Sequence, residues 1–290
     1  MERRTKSNGS TQVVLITGSS SGIGFEASLT LARNGFFTYA SMRNPMKGRK
    51  LEEIADNEDL PLEVIQLDVT SDSSVKAAIG MVVNEKGRID ALLNNAGYLL
   101  LGCFEDISEK ELRDQFETNF FGIVRVTREV IPIMRKQNYG IIINIGSVTG
   151  KVGLPVSSGY ASTEFALEGL SESIRYELEP FGIQVSLVEP GIVRSNFLKS
   201  TVMAERAKNS TSAYHKVTRR LVENLEKMAD LGTSPEEVAK VILRAVTSEK
   251  LSPRYIVGND AAMIIENRKS MRDMEFENFV RDVILDKSLK

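Results

Sequence analysis

The chain has 290 residues, 42% of them hydrophobic and 26% charged, with a formal net charge of −2. That balance is ordinary for a soluble globular protein, and without a basic excess it excludes a general nucleic-acid binder. A single cysteine, Cys103, excludes an internal disulfide and an all-thiolate metal site within one chain.

The first stretch, "MERRTKSNGSTQ", is polar and lacks the apolar run of a secretory signal. Residues 1–11 are expected to form a disordered tail, followed by one domain over residues 12–290. No stretch reaches the roughly 18 apolar residues of a membrane helix. The expected location is therefore the cytoplasm, where a lone thiol stays reduced.

From residue 13 onward, short β-branched runs alternate with longer helical patterns. Candidate strands are 13–16, 36–41, 62–67, 89–94, 140–146, 183–189 and 254–257. Candidate helices lie near 22–34, 71–86, 109–137, 159–180 and 235–248. The strands are apolar on nearly every residue, as parallel strands covered on both faces require. Their alternation with helices predicts an α/β protein with a doubly wound, mostly parallel sheet, Rossmann-like and three-layered (α/β/α). Ser108 with Glu111, and Ser234 with Glu237, spell capping boxes, and Pro235 takes a first helical position. Residues 192–232 are polar at first, then helical. They form the one long insertion, and a mobile substrate lid is expected there.

The first strand runs into "TGSSSGIG", residues 17–24, and a helix follows. Gly18, Gly22 and Gly24 permit a tight turn and close approach of backbone to phosphate. With Ser20, Ser21 and Ile23 they open a helix whose free N–H groups suit a pyrophosphate. A site that prefers NAD(H) usually carries an acid near the end of the second strand, to hold the ribose 2′-hydroxyl. Here "YASMRN" places Arg43 there, 19 residues past Gly24, and no acid. A guanidinium suits a 2′-phosphate by charge and forked geometry, so NADP(H) is expected over NAD(H). The plainer alternative is a solvated loop arginine.

Seven segments then match one family in order and spacing over residues 12–257. They are "TGSSSGIG" (17–24), "LDV" (67–69), "NNAG" (94–97), "TNFFG" (118–122), "NIGSVTG" (144–150), "YASTE" (160–164) and "PGIVRSNF" (190–197). On these motifs the chain resembles the single-domain short-chain dehydrogenases/reductases, and "YASMRN" is similar to their NADP-preferring branch. "SPRYIVG" near the C-terminus is similar to hydroxysteroid and retinol dehydrogenase-like members.

The resemblance implies roles for individual residues. Asp68 and Val69 would contact adenine, while Asn95, Ala96 and Gly97 would line the cofactor and steady the sheet. Asn119 would hold a water in a proton relay, and Ser147 would bind the substrate oxygen. Tyr160 would be the acid in carbonyl reduction and the base in alcohol oxidation. Pro190, Gly191 and Val193 would flank the nicotinamide, with Ser195 near its carboxamide. The family's helices matching 109–137 and 159–180 pair subunits, so a homodimer or homotetramer is expected.

One position departs from the family. Four residues after Tyr160, where these enzymes carry lysine, stands Glu164. Residues i and i+4 share a helical face, so the phenol feels whatever occupies 164. A phenol near pKa 10 works poorly at neutral pH unless its anion is stabilised. At about 6 Å and an effective dielectric near 20, the lost attraction is roughly 3 kcal/mol, or about two pKa units. Glu164 could still accept hydrogen bonds from ribose hydroxyls, but at least about a hundredfold loss of turnover is expected. Three readings stay open: a cofactor-binding protein with little or no turnover, an enzyme whose lysine was replaced, or a different proton donor. Lys151 and Lys199 lack the fixed geometry to substitute.

Other chemistries find little support. His215 is the only histidine, and it sits in the expected lid. Cys103 reads as wall rather than nucleophile, and no His and carboxylate spacing suits a metal. The apolar run "YLLLGCF", residues 98–104, suggests a bulky lipophilic ketone or alcohol as substrate, though it could equally be core.

Overall fold

The seven apolar runs become seven strands of one sheet in a computed structural model that describes residues 11–194, 201–229 and 232–282. They are β1 (Val13–Thr17), β2 (Phe37–Met42), β3 (Leu62–Gln66), β4 (Ala91–Asn94), β6 (Gly140–Ile145), β7 (Ile183–Pro190) and β9 (Arg254–Val257). Their order is β3-β2-β1-β4-β6-β7-β9, and all neighbours run parallel. Two-residue strands β5 (Leu100–Leu101) and β8 (Val202–Met203) form a separate ladder. The strand order reverses between β1 and β4, which opens a crevice at their carboxyl ends.

Helices cover both faces, completing the expected α/β/α layering. On one face lie α1 (Gly22–Arg33) and the helix Pro235–Thr247, packed on Val14, Ile16, Leu93 and Ile143 of the sheet. On the other, α3 (Asp72–Lys86) and α5 (Gly122–Gln137) bury Val75, Val82, Val126 and Val130 against Leu15, Tyr39 and Leu92. The long α6 (Ser158–Leu178) joins this second face through Leu178. With both faces covered, a strand has no solvent side to mark with polar residues, which is why these strands read as unbroken apolar runs.

Both capping boxes form, Ser108 with Glu111 and Ser234 with Glu237. Two features differ from expectation. The stretch 109–137 is not one helix: α4 (Glu109–Phe116) meets α5 through a π-helical turn, Glu117–Phe121. Such widened turns redirect a side chain, here that of Asn119. A further helix, α2 (Arg49–Asn57), was not anticipated, because its strongly polar composition hides the one stripe, Leu51 and Ala55, that it buries. Beyond the last strand, the helices Asn259–Ser270 and Asp273–Val280 pack on the domain through Ala261, Ile265 and Phe276.

The expected lid region is tied down where it is described. Val193 bridges Thr233, and the Ile192 N–H donates to Asp260 Oδ2 at 2.7 Å. Strand β8 pairs with β5, and the helix His215–Ala229 follows. The expected tail, residues 1–11, lies outside the described residues except for its last residue.

Candidate functional site

The turn after β1 is shaped by its glycines. Gly18 and Gly22 have φ of +72° and +62°, the left-handed region that side chains disfavour. A Cβ on Gly24 would lie 2.5 Å from both Asn95 Nδ2 and Gly18 O. Asn95 fixes this turn from the neighbouring strand, its Nδ2 donating to Thr17 O and Gly18 O at 3.0 Å each. Thr17 Oγ1 in turn accepts from the N–H groups of Asn95 and Ala96, at 3.0 and 3.1 Å. The residue before α1, Ser21, makes no side-chain cap, so the N–H groups of the first helical turn remain available to an anion.

At the far side of the turn, Arg43 follows β2 as an exposed residue. Lys47 also lines the cleft there, in the short 3-10 turn Pro45–Gly48. The sequence reading missed this second cation; its only signal was a lysine four residues beyond the arginine. Asp68 Oδ1 is taken by the Thr70 N–H and Oγ1, at 3.0 and 2.7 Å, which leaves Oδ2 toward the cleft. Val69 lies beside it, buried.

One cleft of about 680 Å³ runs from this end to Tyr160 and Glu164. All the anticipated site residues line it except two. Gly24 packs beneath the turn instead, and Ser195 lies outside the described residues. The sequence reading also missed what positions Pro190–Val193. Asp260 packs so close to Gly191 that a Cβ there would lie 2.2 Å from its carboxylate.

The other end of the cleft carries the reactive groups. The π-helical turn aims the Asn119 amide at the Tyr98 backbone: Nδ2 donates to Tyr98 O at 3.0 Å, and Oδ1 accepts from Tyr98 N at 3.1 Å. The same amide stands beside the Glu164 carboxyl and favours its ionised form. Ser147 and Thr149 stand beside the Tyr160 hydroxyl and favour its ionisation. Burial and the Glu164 charge outweigh them and hold the phenol well above its ordinary pKa.

Glu164 is only 5% exposed, and its Oε2 has no hydrogen-bond partner. Burial, then the charge of Glu168, push its carboxyl up to about 8 against the opposing Asn119 amide. Nearby cations are engaged elsewhere. Lys151 bonds Glu168, and so do Nε and Nη2 of Arg254, at 3.1 and 3.0 Å. Arg254 Nε also lies 3.2 Å from Glu189, whose carboxyl burial and Glu168 push up to about 8. Lys151 is thus paired with Glu168 rather than with Glu164; Lys199 lies outside the described residues.

An apolar wall adjoins Tyr160. Leu99, Leu101, Val156 and Leu221 cluster with Cys103, Tyr160, Met203 and Val217. Leu100, between them in sequence, lines the cleft itself and packs on Ala204 and Ala207. The run 98–104 is thus both site wall and core. Burial raises the Cys103 thiol pKa, which disfavours a thiolate nucleophile. His215 does not line the cleft. Among the described residues no cluster of His, Cys, Asp or Glu could hold a metal, and no helix is long and apolar enough to cross a membrane.

The glycine turn, the Asn95 clasp and the Ser147–Tyr160 pair at one switch-point cleft coincide with a sequence match to the short chain dehydrogenases over residues 12–206. The chain belongs to that family. This short-chain dehydrogenase is 38% identical to the uncharacterized oxidoreductase YusZ of Bacillus subtilis, over 85% of this chain and 89% of that protein. It is 36% identical to human 17-beta-hydroxysteroid dehydrogenase type 1, over 84% of this chain and 76% of the other. A short-chain dehydrogenase structure from Streptomyces avermitilis superposes with a TM-score of 0.81 at 33% identity, covering 94% and 99% of the two chains. The protein is an oxidoreductase of this family.

Proposed function

We propose that this short-chain dehydrogenase binds NADP(H) and reduces a bulky lipophilic ketone, or oxidises the corresponding alcohol, at a rate held far below that of lysine-bearing relatives. The observation that carries the reading is the single cleft joining an anion-ready helix start to Ser147 and Tyr160. A nicotinamide cofactor bound there would supply the hydride. Gly18–Gly24 would hold its pyrophosphate, and Arg43 with Lys47 its 2′-phosphate. Since Asp68 and Arg43 lie at one end of the cleft, the nicotinamide falls to the other, against Tyr160, Glu164 and Pro190–Val193. The unpartnered Glu164 Oε2 suits a ribose hydroxyl donor, so the residues fit the group.

In reduction, Tyr160 would give its phenolic proton to the carbonyl oxygen while Ser147 holds that oxygen. With no ammonium behind it the phenolate is poorly stabilised, so oxidation, where Tyr160 must begin as the base, suffers most. The apolar wall of Leu99, Leu101, Val156 and Leu221 supports a lipophilic substrate, and the likeness to a hydroxysteroid dehydrogenase supports the same class. The segment 201–229 would act as lid over that wall. Phe121, Phe165 and Tyr176, exposed at the start of α5 and along α6, support subunit pairing through those helices.

A second reading is favoured by one observation, the buried carboxyl at 164 with no cation paired to it among the described residues. In that reading the protein binds NADP(H) and turns nothing over, serving as a regulator. NADPH fluorescence tests the shared premise: no change on mixing, with no nucleotide retained, overturns both readings. NADPH consumption with a panel of hydrophobic ketones, by the wild type and by Glu164→Lys, then separates them. Activity that appears or rises strongly with lysine supports the reductase; none with either residue supports the regulator.

A further inference from the structure

Five ionisable groups are linked to Glu164, directly or through Glu168, and their pairing leaves one charge unmatched. On α6 itself stand Tyr160, one turn before, and Glu168, one turn after. From β7 comes Glu189, from the turn after β6 Lys151, and from β9 Arg254. Lys151 and Arg254 both close on Glu168, and Arg254 also reaches Glu189. Among the described residues no cation pairs with Glu164. Its only polar support is the neutral Asn119 amide, and its Oε2 is buried, unpartnered and part of the cleft wall beside Ser147 and Tyr160. A carboxylate in that position lacks a counter-charge, and a carboxylic acid lacks an acceptor. Either form is completed only by something that enters the cleft.

We infer that Glu164 makes this cleft distinguish the two oxidation states of a nicotinamide ring, meeting the neutral reduced ring as a carboxylic acid and the cationic oxidised ring as a carboxylate. The inference rests on the proposed cofactor reading and deepens it. A lysine at the same place would repel the oxidised ring's positive charge; Glu164 instead supplies the charge that ring attracts. Binding the oxidised form then expels one proton from the protein, and binding the reduced form leaves the proton in place. The only bond change is a proton transfer: the O–H bond of the Glu164 carboxyl breaks, its electron pair stays on the carboxylate, and the proton goes to solvent or buffer.

The direction of the pH effect follows. The free carboxyl titrates near 8. Below that, the oxidised cofactor must displace a proton, so its affinity rises with pH until the group is already ionised. The reduced cofactor binds the acid form, so its affinity is steady below about 8 and falls above it. The ratio of dissociation constants, oxidised over reduced, should therefore fall as pH rises. Both forms carry the same phosphates, so phosphate titration cancels in the ratio.

The test is titration calorimetry of the full chain with NADP+ and with NADPH, between about pH 6.5 and 8.5, in two buffers of different ionisation enthalpy. The expected result is proton release with NADP+ alone and a ratio that falls at least about threefold over that range. Glu164→Gln keeps the shape beside Asn119 but cannot ionise, so its ratio should stay flat and its proton release vanish. A flat ratio in the wild type, or a Gln variant that behaves like the wild type, overturns the inference while leaving cofactor binding intact. Failure of either nucleotide to bind overturns the cofactor reading and this inference with it. Glu168→Gln gives an independent check: removing the neighbouring charge should move the ratio's transition to lower pH, and no movement overturns the assigned cause.

Discussion

Around the Gly18–Gly24 turn the buried side-chain polar atoms all have hydrogen-bond partners, with Asn95 and Thr17 clasping it from two strands. At Tyr160 and Glu164 the opposite holds. A buried carboxyl oxygen has no partner, the neighbouring phenol is pushed up, and the cations have closed on other acids. The first end is rigid before any ligand arrives, so its contribution is pre-organised geometry. The second stores unfavourable electrostatics that a ligand or a proton must relieve. On the proposed reading, binding and turnover should therefore respond to different substitutions.

The largest expected effect comes from supplying the missing charge. Glu164→Lys should raise NADPH-dependent ketone reduction at least about a hundredfold, as expected for restoring roughly 3 kcal/mol of attraction to the phenolate. Initial rates against a lipophilic ketone check it, and unchanged rates would mean that charge at 164 does not limit the chemistry. Next comes damage to the pre-organised end. Gly24→Ala would force a methyl into Asn95 Nδ2 and Gly18 O, so nucleotide affinity should drop sharply and stability by about 1–3 kcal/mol. Equilibrium binding together with thermal melting would show it, and a variant with native affinity would refute the tight-clasp account.

Arg43→Asp probes the same end more gently. It should weaken NADPH by about tenfold or more and leave NADH nearly untouched, since only the former offers a phosphate to a charge-assisted bond. Equal losses for both nucleotides would remove the 2′-phosphate assignment.

The last effect is on stability rather than on binding or turnover. Glu164 has a folded-state pKa raised from 4.5 to about 8, so between those values the folded chain holds a proton the unfolded chain has lost. Stability from this group is full below about 4.5 and declines as pH rises toward about 8, by at most about 1.4 kcal/mol per unit. Glu164→Gln removes that decline. Its melting temperature should exceed the wild type's by a few degrees at about pH 8 and match it near pH 5. Parallel melting curves across that range would show that Glu164 titrates normally.

Much of the molecule was legible because it obeys local rules. Runs such as 140–146 are apolar at nearly every residue, as a strand covered on both faces requires. The Ser108 and Ser234 caps name their own helix starts. What escaped the sequence has identifiable causes. Helix α2 is polar enough to pass for a loop, and the π-helical turn at Asn119 leaves no local mark within an amphipathic stretch. Lys47 and Asp260 gain their places only because a turn and a distant helix bring them to the cleft. The division of Leu99, Leu100 and Leu101 between two apolar clusters depends on the β5–β8 pairing, a contact between segments about a hundred residues apart.

By itself the sequence determined the doubly wound sheet, the glycine turn and the presence of an acid on the Tyr160 face of α6. Those follow from periodicity, backbone sterics and the i to i+4 spacing of a helix. Only the tertiary structure decided what that acid experiences. Lys151 and Arg254 are remote from Glu164 along the chain or face away from it, and folding commits them to Glu168 and Glu189. Burial then removes the water that would otherwise have screened the Glu164 charge. An ionisable group's behaviour depends on its nearest charges and its solvent, and neither is a local property of the sequence.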